Sequence, residues 1–582
     1  MQLNMLGHCK TIAIDYSFLC EYAGSRLFME FIEFAADNDC DVYVGKDFVL
    51  KHYCFIHQVD EKSTIVNNAM RELVSSLINN KKFHELQALS SSEFIRELNK
   101  IDDVFFLTTN NSAIFKRIIE QNLSSDKKLL LAEQGEILLY ESINSYIKEI
   151  GDILPSPIAK RTEFLDSKAF CSVGDKVSTG KQEIVTLGDR ISNGAEGMVF
   201  KTDNPRIVAK IFHRGVITPL RWSKLTKMVQ LNIKTAEICW PQDLLFYRGV
   251  PVGYTMIAGR GNTLGNIFDG PDAITNAFPD WKRIDVVETI INLLEKYIYL
   301  HMHDIVVGDI QLKNAMLYSS KSVYLIDMDS CQVGNLPCPV GTEEFTSPEL
   351  WGQNFIDFIR MPKHEDYCIS MLVFSVLFCG LHPYARRKGK ETLREEILDK
   401  AFPYTLDNSN IDFIPLGGYQ YIWEYLPENI RNMLYDVFKL GKNHETIEWY
   451  SALQEYKENL QKRAFEDIEA YKVFPKMNYK KVVIEDNQNK TNKWQKGSLH
   501  DNVVYAGDNN PFAKAAGTNI NHNNYSGSFN SNRNQETKKE TTPPKPSSAF
   551  VPKMGGSAPT NLPEEEEPEK KGLFSKLFGG NK

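Results

Sequence analysis

Three side chains with oxygen ligands lie close together in the stretch from residue 303 to residue 330. Asp309 follows Gly308 and precedes Asn314 by five residues, and Asp327 ends the apolar run 323–326. A hairpin-like return of the chain would place all three around one point. A carboxylate can orient a hydroxyl group, while an amide and a second carboxylate can hold a divalent cation. The spacing therefore predicts a site for a Mg²⁺-nucleotide.

A glycine-rich turn and an embedded lysine precede this stretch. Residues 187–200 read as a strand, a turn with Gly194 and Gly197, and a second strand. Glycines let backbone N–H groups approach phosphate oxygens because no Cβ stands between them. Lys210 lies inside the apolar run 207–212, where its charge is costly unless it is paired, and phosphate is a natural partner. The alternatives are a hairpin with a glycine bulge and an edge-strand lysine whose tip reaches solvent.

In this order, the motifs resemble those of protein kinases. The glycine loop of that family reads G-x-G-x-x-G-x-V, and Ser192, Gly194, Gly197 and Val199 match it with serine replacing the first glycine. The family motifs H-R-D-x-x-x-x-N and D-F-G correspond to V-G-D-x-x-x-x-N and D-M-D. Residues 341–349, G-T-E-E-F-T-S-P-E, resemble the end of a kinase activation segment.

The resemblance implies a role for each matching residue. Asp309 and Lys210 would be catalytic, because Asp309 would orient the acceptor hydroxyl and Lys210 would hold the phosphates. Asn314 and Asp327 would bind Mg²⁺. The residues implied to bind ATP, the last two of them in the hinge, are Ser192, Gly194, Gly197, Val199, Lys210, Met256 and Ala258.

The resemblance also implies two structural residues and shows two departures. Glu349 would pair with a basic residue to fix the activation segment, and Asp366 would accept hydrogen bonds from catalytic-loop N–H groups. Typical kinases pair the phosphate-binding lysine with a helix glutamate, but no Asp or Glu lies between Lys210 and Glu237. Gly308 replaces the usual Arg, so a phosphorylated activation loop would lack its docking charge. We therefore expect activity that is not gated by such a phosphate.

A divergent bacterial subgroup shares these departures. The pattern of Lys224, Leu225 and Met228, followed by Trp240-Pro241 and by residues 253–256, is similar to the tellurium-resistance-associated and YegI-like kinases. That subgroup also carries Gly-Asp where other kinases carry Arg-Asp. The resemblance implies that the missing glutamate is a feature of the subgroup.

The first 150 residues favour a separate α/β domain. Strand-like and helix-like runs alternate, which indicates a parallel sheet. The first strand ends at Asp15, and the pattern resembles a PIN-type nuclease domain. Such hydrolysis needs several carboxylates around metal ions, but the aligned positions hold Lys46 and Lys51 in one region and Asn110 in the other. The resemblance therefore implies a vestigial site at Asp15 and a domain used for recognition or regulation. Alternatively, Asp15 is only a solvated or capping carboxylate at a strand end.

Composition sets the remaining boundaries. Residues 151–184 read as a linker, and residues 185–465 as the kinase domain. Residues 475–582 are rich in Asn, Ser, Gly, Lys and Pro, which predicts a disordered tail. Near its end, residues 573–578 form a short amphipathic segment that would dock on a partner or a membrane, unless it is a free hydrophobic tail.

Charge and cysteine usage narrow the class of protein. The formal net charge of the 582-residue chain is -8, so DNA binding is not expected. The ten cysteines include no C-x-x-C pair, which indicates a reducing cytosol. The first residues lack a signal-peptide pattern. The longest apolar stretch, about 369–381, is shorter than the roughly 20 residues that span a bilayer. We expect a cytoplasmic protein without a transmembrane segment.

The sequence thus predicts a multidomain protein with an α/β N-terminal domain, a two-lobed α+β kinase fold and a disordered tail. The predicted function is transfer of the ATP γ-phosphate to Ser or Thr of a protein, with ATP and Mg²⁺ as cofactors. Protein substrates are the expected partners, together with a protein partner for the N-terminal domain or the tail. Two alternatives remain: a pseudokinase scaffold that binds ATP without transfer, and a PIN-type nuclease regulated by the kinase domain.

Overall fold

The computed structural model describes residues 9–58, 61–78, 81–151, 171–390 and 392–476. The predicted disordered tail, its amphipathic segment and most of the predicted linker lie outside the described residues.

Residues 9–151 form an α/β unit. Its strands are β1 (Thr11–Ile14), β2 (Asp41–Gly45), β3 (Phe83–Leu86), β4 (Val104–Thr109), β5 (Lys128–Glu133) and β6 (Glu136–Tyr140). Its helices are α1 (Tyr16–Tyr22), α2 (Arg26–Asp37), α3 (Lys46–His57), α4 (Glu61–Ile78), α5 (Ser91–Lys100), α6 (Ala113–Glu120) and α7 (Ile143–Gly151). Ser25 caps α2 and Ser90 caps α5, as short hydroxyl side chains do when they satisfy free helix N–H groups.

The sheet of this unit has the order β3-β2-β1-β4-β5-β6. Its first five strands are parallel, and β6 pairs antiparallel with β5. The α/β architecture predicted from sequence is therefore confirmed. The chain order reverses between β1 and β4, and the carboxyl ends of strands at such a point form a crevice. The likeness to PIN-type domains remains a prediction.

The second unit begins with a seven-stranded antiparallel sheet of order β8-β7-β12-β13-β11-β10-β9. Its strands are β7 (Lys176–Thr179), β8 (Ile184–Thr186), β9 (Arg190–Asn193), β10 (Gly197–Lys201), β11 (Ile207–Phe212), β12 (Asp243–Tyr247) and β13 (Val250–Ile257), and helix α8 (Pro219–Leu231) lies between β11 and β12. The predicted linker 151–184 was too long, because β7 already belongs to this sheet. Val177 of β7 is fully buried, and burial of that side chain fixes the strand.

A mainly helical part follows β13. Its helices are α9 (Leu264–Ile267), α10 (Pro271–Ala277), α11 (Arg283–His301), α12 (Pro362–Leu377), α13 (Leu393–Leu398), α14 (Tyr419–Tyr425), α15 (Glu428–Tyr435) and α16 (Thr446–Gln461). Its strands are β14 (Asn262–Thr263), β15 (Ile305–Val306), β16 (Ala315–Ser319), β17 (Ser322–Leu325) and β18 (Gln332–Val333). Helices α11 and α12 are buried over almost their whole length and form the core. A small sheet and a helical part in this order agree with a two-lobed kinase fold.

The two units pack directly on each other. Helix α3 lies against α11, where the Phe55 ring is 5.3 Å from Tyr299 and 5.9 Å from His303. His57 Nδ1 lies 3.3 Å from Glu295 Oε1 in the same contact. None of the described helices is long and apolar enough to cross a membrane.

Candidate active site

Asp309 lies in the loop between β15 and β16 and is 5% exposed. Its Oδ1 accepts hydrogen bonds from the Thr342 backbone N–H at 3.0 Å and from Thr342 Oγ1 at 3.1 Å. Its Oδ2 accepts from Gln311 Nε2 at 2.9 Å and from Asn314 Nδ2 at 3.0 Å. The carboxylate is therefore held in one orientation with a hydroxyl group already on one oxygen. The role of Asp309 toward an acceptor hydroxyl remains a prediction.

Asn314 connects the two acidic elements. Its Nδ2 also donates to the Asp309 backbone carbonyl at 2.9 Å. The backbone carbonyl of Asn314 accepts from the N–H of Ile326, the residue before Asp327, at 3.0 Å. Because the amide nitrogen is engaged, the amide oxygen is the atom that can face a cation. Asp327 adopts a left-handed backbone with φ of 60°, and its side chain is 46% exposed. The Asp309 and Asn314 side chains are thus in contact, and Asp327 directly follows the residue whose N–H binds the Asn314 backbone.

The donor set of this site suits Mg²⁺, which takes one or two protein ligands and completes its shell with phosphates and water. Asn314 and Asp327 supply an amide oxygen and a carboxylate of the required kind. Within the described residues, no group of three or more His, Cys, Asp or Glu side chains could hold a metal ion. The metal role of both residues remains a prediction.

Lys210 lies in a row of paired residues that crosses the seven-stranded sheet. Val199, Lys210 and Tyr254 are direct register partners on β10, β11 and β13. Lys210 Nζ donates to Asp327 Oδ1 at 2.5 Å and to Asp329 Oδ1 at 2.6 Å. Burial acts to lower the pKa of Lys210, but the two carboxylates raise it above its ordinary value. The alternative of an edge-strand lysine was wrong, because β11 is an interior strand and Lys210 is 7% exposed.

The glycine turn lies at the end of the same sheet. Ser192 is the register partner of Val199, and the Gly194 N–H donates to the Gly197 carbonyl at 2.8 Å. A Cβ on Gly197 would lie 2.5 Å from the Ile211 carbonyl oxygen, so no larger residue fits there. The turn closes a hairpin in the described state, and its role toward phosphates remains a prediction.

The predicted hinge follows β13. Met256 pairs with Val208 and is 8% exposed. The Ala258 N–H donates to the Arg206 carbonyl at 2.8 Å, so this N–H is not free for an adenine edge. Any adenine contact at the hinge would use the Ala258 carbonyl or the backbone that follows it.

The catalytic loop is anchored by Glu365 and not by Asp366. Glu365 Oε1 accepts from the Val307 N–H at 3.0 Å, and Oε2 accepts from the Gly308 N–H at 2.8 Å. The predicted anchor, Asp366, instead pairs with Arg117 of the N-terminal unit in a bidentate contact. The prediction was one residue off because adjacent residues of a helix point about 100° apart, and only Glu365 faces the loop.

Glu349 pairs with two basic side chains close to it in sequence. Its Oε2 lies 2.8 Å from Lys363 Nζ, and its Oε1 lies 3.1 Å from His364 Nε2. The Glu349 side chain is 45% exposed, so this contact is a partly solvated one. The basic partner that the resemblance left open is therefore at the start of α12.

Gly308 is required by its surroundings. Its φ is +77°, and a Cβ there would lie 2.6 Å from Arg360 Nη1 and 2.7 Å from Cys338 Sγ. Arg360 is 2% exposed and donates to the carbonyls of Gly308 and Val340. Arg360 could not be identified from local sequence, because it lies 52 residues beyond Gly308.

Helix α8 presents a cation where typical kinases present an acid. Lys224 is 4% exposed, and its Nζ donates to the carbonyls of Ser330 at 3.0 Å and Pro337 at 3.2 Å. Burial lowers the pKa of Lys224. At the outer side of the helix, Arg221 pairs with Glu196 of the glycine turn at 2.6 Å. The helix is thus bound both to the segment that contains Ser330 and Pro337 and to the glycine turn that contains Glu196.

Asp15 caps a helix at the strand crevice of the N-terminal unit. Its carboxylate accepts from the Ser17 N–H at 3.2 Å, as the N-cap of α1, and from Ser112 Oγ at 2.8 Å. A cavity of about 100 Å³ borders Asp15 and is also lined by residues of the second unit, including His301 and Glu445. Asp47 and Glu445, the two further acids that line this cavity, were not singled out from the sequence, although Asp47 stands next to Lys46 in the first turn of α3.

Comparisons with known proteins show similarity to proteins that are named as kinases. It is 28% identical to "Protein kinase YegI" of Escherichia coli K12 over 318 residues, which are 49% of this chain and 47% of that protein. It is 30% identical to "Protein kinase YegI" of Escherichia coli O157:H7 over 251 residues, or 40% and 38% of the two chains. It is also 24% identical to "Serine/threonine-protein kinase 1" of Lymantria dispar multicapsid nuclear polyhedrosis virus over 151 residues, or 25% and 52%.

The chain spans about half the length of these curated relatives or less. No family model matches it. The similarity to three proteins named as kinases supports the description of this chain as a divergent kinase-like protein.

Proposed function

We propose that this protein is a kinase that transfers the γ-phosphate of ATP to a Ser or Thr hydroxyl of a protein. The main support for this proposal is the contact between Lys210 Nζ and Asp327 Oδ1 at 2.5 Å. This contact joins the seven-stranded sheet to the loop after β17. A cation and a carboxylate at one cleft can serve the phosphates and the metal of a bound nucleotide.

Each side chain has a chemical task in this transfer. Asp309 accepts a hydrogen bond from the acceptor hydroxyl and aims its oxygen at the phosphorus atom. Lys210, on β11, neutralises negative charge on the phosphates. Asn314 and Asp327 hold the metal, and Mg²⁺ supplies electrostatic stabilisation of the charge that develops on the phosphate oxygens. The Thr342 hydroxyl at 3.1 Å from Asp309 shows that a hydroxyl fits at this oxygen, which supports Ser or Thr as acceptor.

The test uses the full chain, γ-labelled ATP and Mg²⁺. We expect label in the protein itself or in an added protein, and phosphoamino-acid analysis should recover phosphoserine or phosphothreonine. An Asp327→Asn variant should lose transfer by about 100-fold or more because a metal-facing charge is removed. Lys210→Met should lose transfer similarly. Absence of label with the wild-type chain at every Mg²⁺ and Mn²⁺ concentration would contradict the proposal.

A binding scaffold is the second candidate, and Ser192 in place of a loop glycine favours it. A scaffold would bind Mg-ATP without transferring phosphate. Thermal-shift titration combined with the transfer assay separates the two, because a ligand that binds the folded state raises the melting temperature by an amount that grows with the logarithm of its concentration relative to Kd. Stabilisation by Mg-ATP without any transfer would support the scaffold, and stabilisation with transfer would support the kinase.

We further propose that the N-terminal unit positions the kinase and does not cleave RNA. The cavity at Asp15 measures about 100 Å³, smaller than the roughly 300 Å³ or more of typical small-molecule sites. Residues of the second unit also line it, and the neighbouring Asp47 is already paired with Lys51 at 2.6 Å. Metal-dependent cleavage of single-stranded RNA by the full chain, lost in Asp15→Asn, would overturn this proposal.

A further inference from the structure

Helix α8 cannot supply the counter-ion of Lys210. Its sequence PLRWSKLTKMVQL contains no Asp or Glu, and Lys224 is the charged residue among its three buried ones. Lys224 already donates to two backbone carbonyls of the activation segment. A second cation directed at Lys210 would repel it, so another group must neutralise that buried lysine.

Asp329 has the properties of that group. Its side chain is 2% exposed, compared with 46% for Asp327, and its Oδ1 lies 2.6 Å from Lys210 Nζ. The same oxygen accepts a hydrogen bond from the Tyr254 hydroxyl at 2.7 Å. Asp329 is therefore a buried carboxylate whose one oxygen contacts both a lysine and a tyrosine hydroxyl.

The two carboxylates at Lys210 differ in what they can do when nucleotide binds. The Asp327 side chain is 46% exposed, so a metal ion bound to it would draw its charge away from Lys210. Asp329, on the short turn Met328–Ser330, is buried and is held by the Tyr254 hydroxyl. Lys210 would then keep its contact with Asp329, while the N–H groups of its ammonium that do not bind Asp329 donate to phosphate oxygens.

Resting on the proposed function, we propose that Asp329 is the positioning residue of Lys210, in place of the helix glutamate of typical kinases. The carboxylate is carried by the metal-loop segment itself, two residues after Asp327. The orientation of Lys210 therefore depends on the loop after β17 and not on the position of α8. Helix α8 contributes indirectly, because Lys224 holds the carbonyl of Ser330 at the end of the turn that bears Asp329.

The experiment compares Asp329→Asn with Asp203→Asn, an exposed aspartate in the loop between β10 and β11. Steady-state transfer by the full chain is measured as kcat and KM for ATP. We expect Asp329→Asn to lower kcat by about 100-fold while KM changes by less than about fivefold, because the lysine remains but is misplaced in the transition state. Asp203→Asn should match the wild type. Tyr254→Phe, which removes only the hydrogen bond to Asp329, should lower kcat in the same direction by less.

A double-mutant cycle on stability tests the ion pair without any activity readout. Asp329→Asn should lower the melting temperature of the wild-type chain by several degrees, because it leaves a buried lysine short of charge, and by much less in a Lys210→Met background. Equal losses in both backgrounds, or a kcat for Asp329→Asn within about threefold of the Asp203→Asn control, would overturn the inference. A wild-type chain without transfer would instead contradict the proposed function, and the cycle would still decide whether Asp329 is the counter-ion.

Discussion

At the scale of single residues, the cleft combines groups that sequence predicts with groups it does not. The contact between Asp309 and Asn314 could be predicted from their spacing, because a Mg²⁺-nucleotide site restricts the residue types. Their role, and that of Asp327, remains a prediction. Asp329 stands in the same motif but could not be assigned, since nothing local shows that its carboxylate turns inward to Lys210. The position of Arg360 beside Gly308 likewise depends on tertiary contact alone.

Gly308 gives the first prediction. Its left-handed backbone and the crowding by Arg360 and Cys338 should make Gly308→Ala cost about 3 kcal/mol of unfolding free energy. Gly352 is a matched control because its φ is +79° but no heavy atom lies within 4 Å of a Cβ there. Gly352→Ala should therefore cost only about 1 kcal/mol. Urea denaturation measures both, and equal losses would show that crowding at Gly308 does not matter.

At the scale of elements, helix α8 is hydrogen-bonded to the activation segment. Lys224 reaches from the helix to the carbonyls of Ser330 and Pro337, on either side of β18. The helix itself could be predicted from sequence, since Pro219 opens it and Thr218 caps it. Its contact with the activation segment could not, because a lysine in an amphipathic pattern is ordinarily assigned to the solvent face.

Lys224→Ala tests this link between elements. Removing the cation leaves two buried carbonyls without their donor, so residues 330–338 should open more often. Hydrogen exchange measured by mass spectrometry should show faster exchange across this segment. Lys234→Ala, at an exposed position after the helix, is the control and should leave exchange unchanged. Unchanged exchange in Lys224→Ala would mean that the segment is held by other contacts.

At the scale of the whole molecule, the N-terminal unit is attached to the helix that supports the catalytic loop. Arg117 is paired with Asp366, which is next to Glu365 on α12. Lys116 also pairs with Asp304, and the Ser91 N–H donates to Glu445 at 2.8 Å. The alternation of strands and helices predicted the α/β unit itself. The docking could not be predicted, since Arg117 and Asp366 are 249 residues apart and their pairing leaves no local pattern.

Arg117→Met tests the docking. It leaves the carboxylate of Asp366 buried without its partner, which should cost about 3–5 kcal/mol of stability. Adding Asp366→Asn removes the uncompensated charge, so the double variant should be more stable than Arg117→Met alone. Denaturant unfolding of the full-length variants provides the measurement. Losses that simply add in the double variant would show that the two side chains do not stabilise each other.

The most direct test of the kinase assignment separates nucleotide binding from transfer at Asp309. Asp309 orients the acceptor hydroxyl and is not assigned to the metal, so Asp309→Asn should bind Mg-ATP within about threefold of the wild type. The same variant should lose transfer of labelled γ-phosphate by about 100-fold to 10,000-fold, the range that a positioned general base contributes. Undiminished transfer by Asp309→Asn would contradict the assignment of this loop and, with it, the proposed mechanism.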